Sequence, residues 1–474
     1  MRNLSIFLAL ALTLAGCMTG PDYRRPAVET PRSWRFEEAE AKDVVNTAWW
    51  TQFNDPVLDG LIESALKENK DVLIAAARVV EFMGRYAVVR SAQFPQVFGT
   101  ALPLREGATK YTNPLWTPNT PHDYWDFKAF LSASWQVDLW GQLRRATEAA
   151  RADLLATDEA RRGVILTVVT AVASAYTDLL GFDKQLAIAR QTSRSREESF
   201  ELFKLRYDRG LISELELRQA ESEYLEALAT IPFLEKLIAQ QEDALSVLLG
   251  RNPGPIPRGR TLDQLVLPAV PSGLPSELLA RRPDIRQAEQ GLIAANARIG
   301  VARALYFPTL TLTGTYGVES TGFSNLFSGP SRTWNYPGGV TAPLFTAGAI
   351  AGQVKAAESV QKESLFLYQK VIQQAFREVE DGLIDQAKSR EQLETQRQQV
   401  VALQSYARLA RLRYDNGYTS YIEVLDAERS LFNASLSYAE TQGVLFRALV
   451  NLYKSMGGGW VIEAEKLTAK EQPR

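Results

Sequence analysis

The chain has 474 residues, 46% hydrophobic and 23% charged, with a formal net charge of −2. That length can bury a sizeable core, and the absence of a basic stripe with interleaved aromatics excludes nucleic acid as a partner. One cysteine excludes an intrachain disulfide framework, and one histidine leaves little material for a His/Cys metal centre.

Met1-Arg2-Asn3 precedes an apolar run from Leu4 to Leu14, and Leu-Ala-Gly-Cys follows at 14–17. A basic start, an apolar centre and small residues before a cleavage point read as a secretory signal peptide over 1–16. Cys17 after Leu-Ala-Gly resembles a bacterial lipobox, which implies lipidation of Cys17 as the first mature residue. Met18 stands where inner-membrane retention uses Asp, so the resemblance points to the outer membrane. Residues 17–54 carry Pro, Arg and Trp without periodicity and read as an extended, surface-draped segment.

The first repeat is expected over 55–255. Asp55 and Pro56 open a helix with Leu58, Leu61, Ile62, Ala65 and Leu66 on one face. A β-hairpin is expected at about 96–138. In 125–138 the odd residues are apolar, Trp125 to Val137, and the even ones except Phe130 are polar, so the strand has two faces. Residues 96–105 form a weaker strand. A long helical hairpin follows, from Leu139 to a tip near Gly210 and back, with Pro232 expected to kink the return helix. Within it, 163–182 is apolar enough to imitate a transmembrane helix, yet Thr167, Thr170, Ser174, Thr177 and Asp178 favour a helix buried on both sides.

A Pro/Gly-rich connector occupies 256–280, with helix resuming at about 276. The second repeat, 281–457, brings a helix, a hairpin at about 309–344 with alternating strands at 309–318 and 333–344, and a helical hairpin with its tip near Gly417. Residues 458–474 form a C-terminal tail. The duplication is visible in the residues: "LRYDRG" at 205–210 recurs as "LRYDNG" at 412–417, and Ser213, Glu216, Ala220, Glu221 and Gly250 match Ser420, Glu423, Ala427, Glu428 and Gly457.

Alternating strands of about ten residues with terminal aromatics suit a bilayer. Trp125, Trp135 and Trp334 read as lipid-facing or interface anchors. Four such strands cannot close a barrel, and open edges in lipid leave N–H and C=O groups unpaired at several kcal/mol each. Several protomers must therefore contribute to one barrel. Helices of about 70 residues reach on the order of 100 Å and would continue that barrel as a tube.

The mature chain resembles the outer-membrane factors of tripartite efflux pumps, the TolC-like proteins, and most closely their lipidated branch. The resemblance is carried by Cys17 with "PDYRRP", "WWTQFNDPVLDGLIESAL" at 49–66, "DLWGQLRR" at 138–145, "LLARRPDIRQAE" at 278–289, "APLFTAGA" at 342–349 and "RYDNGYTSYIEVLDAERSLF" at 413–432. It implies an α+β membrane protein: a homotrimer, with a twelve-stranded outer-membrane β-barrel of four strands per protomer continued by a periplasmic α-helical barrel. It implies a periplasmic adaptor and an inner-membrane transporter of the RND type as partners, with outer-membrane lipid around the barrel. It implies no cofactor. "FTAG" at 345–348 departs from the family pattern, an Asp or Asn and a Gly pair, and should loosen the strand-to-helix joint.

No P-loop, Gly-x-Ser-x-Gly or His-Glu motif points to an enzyme. The expected function is passive export of small molecules, gated at the helix tips. Ile422, Asp426 and Arg429 are spaced i, i+4, i+7 and share one helical face. The resemblance places them with Tyr414 at a periplasmic constriction, with Tyr207 as the weaker match in the first repeat. The alternative for Asp426 and Arg429 is an ordinary surface i, i+3 pair. Gly210 and Gly417 suit positive φ at the turns, beside Leu211, Ile212 and Tyr418 as candidate adaptor contacts. Rival functions are the outer channel of a protein secretion system and a lipid-anchored envelope spacer.

Overall fold

A computed structural model describes residues 18–35, 48–107, 117, 123–268, 270 and 275–457. Cys17, the signal segment and the 458–474 tail lie outside the described residues. The chain divides into two compact units. One takes the described part of 1–27, Val79–Thr157 and Ala288–Tyr368; the other takes the described part of Val28–Arg78, Asp158–Gln287 and the described part of 369–474.

Seven long helices and five strand segments occur among the described residues. The helices are α1 (Pro56–Glu68), α2 (Lys70–Ser91), α3 (Gln142–Asp208), α4 (Glu214–Leu248), α5 (Pro283–Ala304), α6 (Ala349–Asp415) and α7 (Tyr421–Ser455). The strands are β1 (Gln96–Gly107), β2 (Asp123–Val137), β3 (Thr309–Ser320), β4 (Arg332–Asn335) and β5 (Gly338–Thr341). The duplication extends to element lengths. α3 and α6 each have 67 residues, α4 and α7 each 35, α2 and α5 each 22, and β1 and β3 each 12.

In the first unit the strands form one antiparallel sheet in the order β1-β2-β3-β4, with β5 also on β3. The fourth strand, expected as continuous over 333–344, is the pair β4 and β5. Thr315 pairs Asn335 and Leu312 pairs Gly338, three steps apart on both strands, so the two segments keep one register. The break falls at Pro337, which has no N–H to donate; its carbonyl accepts from Thr313 N at 3.1 Å. The strand ends at Thr341, before Pro343.

The register sorts side chains by face. Leu131, Tyr316 and Trp334 form one row and Trp135, Leu312 and Gly338 another; the large apolar members other than Trp135 are exposed. Ser132, Thr315 and Asn335 form a row on the opposite face, where Lys128 bridges Asp126 (2.7 Å) and Glu319 (3.2 Å). Trp125 stacks on Phe127, and Trp334 on Tyr336. Trp135 is half-buried and its indole N–H donates to Gln93 O at 3.0 Å. β1 carries Phe98 and Leu102 on the otherwise polar face, which is why alternation alone marks it faintly; Gly99, Ala101 and Pro103 further weaken it.

In the second unit the segment expected to drape the surface supplies the core. Trp49, Trp50 and Phe53 form a 3₁₀ turn and are buried with Leu58, Ile62, Val169, Val172, Tyr176, Phe446 and Tyr453. Trp49 stacks on Tyr453 with centroids 5.1 Å apart. Three large aromatics cannot lie on water when α3 and α7 offer an apolar slot. Asp55 is fully buried and satisfied: it caps α1 by accepting from Val57 N (2.9 Å), and accepts from Tyr176 OH (2.8 Å) and Arg260 N (3.0 Å). A Cβ on Gly259 would lie 2.0 Å from Asp55 Oδ1, so the connector approaches only as glycine. The apolar stretch of α3 is long and apolar enough to cross a membrane, but Ile165, Leu166, Val169, Val172 and Leu179 pack into this core. Pro232 does not end α4.

Helix does not resume smoothly at 276. A 3₁₀ turn at Pro275–Glu277 leads to one helical turn, Leu278–Arg281, and Arg282 adopts an extended conformation before Pro283. Buried Arg282 then donates to Ser455 O at the end of α7 (2.9 Å), to Asp284 and to Glu378 (both 2.7 Å).

The long helices begin later than expected, at Gln142 and Ala349, because each needs a strand-to-helix turn. In the first turn Asp138 accepts from the backbone N–H groups of Leu143 (3.0 Å) and Arg144 (2.9 Å), and Gly141 takes φ +76. In the second, exposed Phe345 stands where Asp138 would, and Ala347 is held at φ 46 beside Gly348 at φ 86. A non-glycine in the left-handed region costs on the order of 1 kcal/mol. Ala347→Gly should therefore stabilise the protein by about 1 kcal/mol, read as a higher urea midpoint; an unchanged or lower midpoint would show that the turn carries no strain.

Candidate functional site

Both helical-hairpin tips lie in the second unit, and the same residues build both turns. Gly210 (φ +70) donates to Tyr207 O and Leu211 to Arg206 O; Gly417 (φ +75) donates to Tyr414 O and Tyr418 to Arg413 O. This is the Schellman pattern, which needs the left-handed residue that glycine supplies without a Cβ clash. The outgoing helices differ. Ser213 and Glu216 form a complete capping box, whereas Ser420 makes no side-chain cap. Glu423, the counterpart of Glu216, instead accepts from Arg413 at 3.0 Å and from the Thr419 hydroxyl.

The tips share a small core of Phe203, Leu217, Ala220, Ala410, Tyr421, Val424, Leu425 and Ala427. Phe203 and Tyr421 are in ring contact at 4.0 Å, and Tyr414 packs on both. The Tyr414 hydroxyl accepts from Arg206 Nη1 at 2.9 Å, which ties the second hairpin to the first. Ile212 packs against this core, while Leu211 and Tyr418 are among the most exposed apolar side chains of the tips. Tyr207 is exposed and takes no part in the cluster.

Ile422, Asp426 and Arg429 line one cavity of about 430 Å³ with Gln219, Ser222, Glu223, Tyr406, Glu423 and Leu425. Tyr414 is not among its lining residues. Arg429 Nη2 lies 3.0 Å from Asp426 Oδ1 in an i, i+3 pair, with the side chains 51% and 53% exposed. About half of each side chain stays accessible.

The cavity adds a charge that spacing alone did not single out. Glu223 on α4 lies 3.9 Å from Arg429 Nη1 and 3.0 Å from Arg196 Nη2. Arg196 is almost fully buried, donates to Glu223 O at 2.7 Å, and faces the Phe432 ring. The Arg196–Glu223 side-chain contact is close in distance but misaligned for a hydrogen bond. Burial pushes the Glu223 carboxyl up, against Arg196 and Arg429, with Glu226 and Asp426 adding to the rise. Burial likewise pushes Glu428 up, against Arg411 and Arg196. The repeat could have pointed to Arg206, the counterpart of Arg413, but no sequence signal separates Glu223 from its acidic neighbours Glu221 and Glu226.

The outer membrane efflux protein family model matches residues 61–251 and 274–458. The chain belongs to this family. It is 36% identical to the toluene efflux pump outer membrane protein TtgF of Pseudomonas putida, over 99% of this chain and all of that protein. It is 35% identical to the cation efflux system protein CusC of Escherichia coli, over 95% of this chain and 97% of CusC. A crystal structure of CusC superposes with a TM-score of 0.84 at 33% identity, covering 93% of this chain and all of that one. The protein is thus an outer-membrane component of an efflux system.

The direction of the Glu223 shift sets a pH dependence. A carboxyl whose folded pKa is raised above the ordinary 4.5 is penalised when ionised, so tip stability falls as pH rises from about 4.5 through the raised value and is regained below it. Glu223→Gln should flatten this share of the slope, measured by hydrogen exchange at the tips. An identical slope in the variant would mean that Glu223 titrates normally.

Proposed function

We propose that this chain is the channel subunit of a tripartite efflux system, a homotrimer whose protomers each place four strands in one outer-membrane barrel. Its partners are a periplasmic adaptor and an inner-membrane transporter of the RND type. The observation that supports this reading most is the two-faced sheet with β1 and β4/β5 at its edges. Those strands pair on one side only among the described residues, and in hydrocarbon both edges need partners. Neighbouring copies of the same sheet supply them at no cost in new sequence.

Transport is passive and needs no catalytic group. Its cargo is small molecules: drugs, toxic compounds or metal ions, in keeping with the toluene and cation systems named for the relatives. Cys17 carries the lipid that holds the N-terminus to the membrane. Gly210, Leu211, Ile212, Gly417 and Tyr418 present the tips to the adaptor.

The gate is at the tips. Around a three-fold axis Asp426 and Arg429 occur three times each, and their half-exposed ends can exchange the internal i, i+3 partner for one on the next protomer. Ile422 narrows the same face. Tyr414 acts from behind by fastening the two hairpins of one protomer through Arg206; Tyr207 has the weaker part.

Asp426→Ala removes an acceptor from all protomers at once. Single-channel conductance in planar bilayers should rise severalfold at low salt, with trimer stability within about 0.5 kcal/mol of wild type because the site is at an exposed tip. The difference should shrink in high salt. Wild-type conductance in both Asp426→Ala and Arg429→Ala would leave these residues as a surface pair and move the gate elsewhere. In parallel, Cys17→Ser should abolish acyl labelling; persistent label would refute lipidation at that residue.

A further inference from the structure

The residues that follow Cys17 are held with a care that a flexible tether does not need. Thr19 N donates to Trp140 O at 3.0 Å, and the Thr19 hydroxyl reaches Trp140 O (3.0 Å) and Gly300 O (3.1 Å). Asn296 Nδ2 donates to Pro21 O at 2.8 Å. Further along, Tyr23 OH donates to Glu289 at 3.1 Å and Arg25 pairs with the same carboxylate at 2.9 Å.

Arg145, on the first turn of α3, closes this seat. Its side chain is 3% exposed. Nε donates to Thr19 O (3.1 Å), Nη2 to Asp22 Oδ1 (2.6 Å) and Gly20 O (3.5 Å), and Nη1 to Glu148 (2.8 Å). A buried guanidinium is costly unless its donors are satisfied, and here most of them serve residues 19–22. Three glycines make the fit possible. A Cβ on Gly20 would lie 2.4 Å from Gly300 Cα, one on Gly300 2.6 Å from Thr19 O, and one on Gly141 2.9 Å from Met18 Cγ. Gly20 also takes φ +89.

The seat lies where the sheet meets the helices. Trp140 donates its indole N–H to Pro308 O (2.8 Å), the residue before β3, and stacks on Phe307 at 4.7 Å. The same Trp140 carbonyl receives Thr19, so the N-terminal segment, the end of β2 and the start of β3 converge on one residue.

We propose that Arg145 is the positioning residue of a built-in receptor for residues 18–22, which fixes the point where the Cys17 lipid leaves the protein at the foot of the apolar sheet face. This rests on the reading of Cys17 as lipidated. A lipid on a free tail would only raise the local concentration of the chain at the membrane. A lipid on a clamped tail also sets the height at which β2 and β3 enter it.

Trypsin tests the clamp on the purified full-length protein. Arg24–Arg25 is a cleavable bond just beyond the seat, whereas Arg25–Pro26 is resistant. Cleavage at Arg24 releases the peptide 17–24, quantified by mass spectrometry and by its acyl label. Wild-type release should be slow. Arg145→Ala should accelerate it on the order of tenfold, as expected for loss of a charged, buried set of bonds from a locally opening segment. Cleavage within the helical hairpins should not change. Arg145→Lys keeps the charge but not the fork and should release the peptide nearly as fast as Ala.

Thr19→Val lies in the segment itself and does not burden the helices, so it serves if Arg145 variants misfold; release should rise about threefold. Wild-type release rates in Thr19→Val and in any folded Arg145 variant would overturn the clamp. An unlabelled wild-type protein would instead refute lipidation, and the clamp would then be judged on peptide release alone.

Discussion

A strand in hydrocarbon must pair both of its edges, and this constraint governs most of what the chain does. Water cannot satisfy a spare N–H there, so a four-stranded sheet is an incomplete object. The face segregation along β2 and β3 shows the same solvent acting on side chains: Leu131 and Tyr316 share one row, Ser132 and Thr315 the opposite one. Pro337 is tolerated in the fourth strand because pairing with β3 resumes in the same register at Gly338, so one missing donor interrupts the ladder without shifting it.

The two repeats agree in length and differ in chemistry, and the differences fall at joints. Asp138 caps the start of α3, and Phe345 with a strained Ala347 replaces that arrangement before α6. Ser213 and Glu216 cap α4, whereas Glu423 is drawn away to Arg413. Element lengths are the same in both repeats, 67 and 35 residues for the two helices of each hairpin. The first strand-to-helix joint also receives the N-terminal segment, with Thr19 on Trp140 O and Met18 beside Gly141.

Burial separates the charged groups at the tips into two kinds. Asp426 and Arg429 are half-exposed and paired to each other, where one surface pair contributes little. Glu223 and Arg196 lie behind them and are largely desolvated, so the same charges weigh more and the carboxyl titrates upward. The outer pair is the better solvated of the two, and the inner one costs more to keep ionised.

Periodicity and repetition were enough to locate the strands, the long helices, both Gly turns and the shared face of Ile422, Asp426 and Arg429, because each is a pattern local in sequence. The family followed from motifs that are local as well. Tertiary structure alone decided that Trp49, Trp50 and Phe53 are core, since a 3₁₀ turn has no long period to read and its burial depends on α3 and α7. It alone joined Arg206 to Tyr414, Glu223 to Arg429 and Arg145 to Thr19. Those partners are separated by more than a hundred residues, and nothing in composition or spacing states which distant side chains a folded helix will bring within 4 Å of one another.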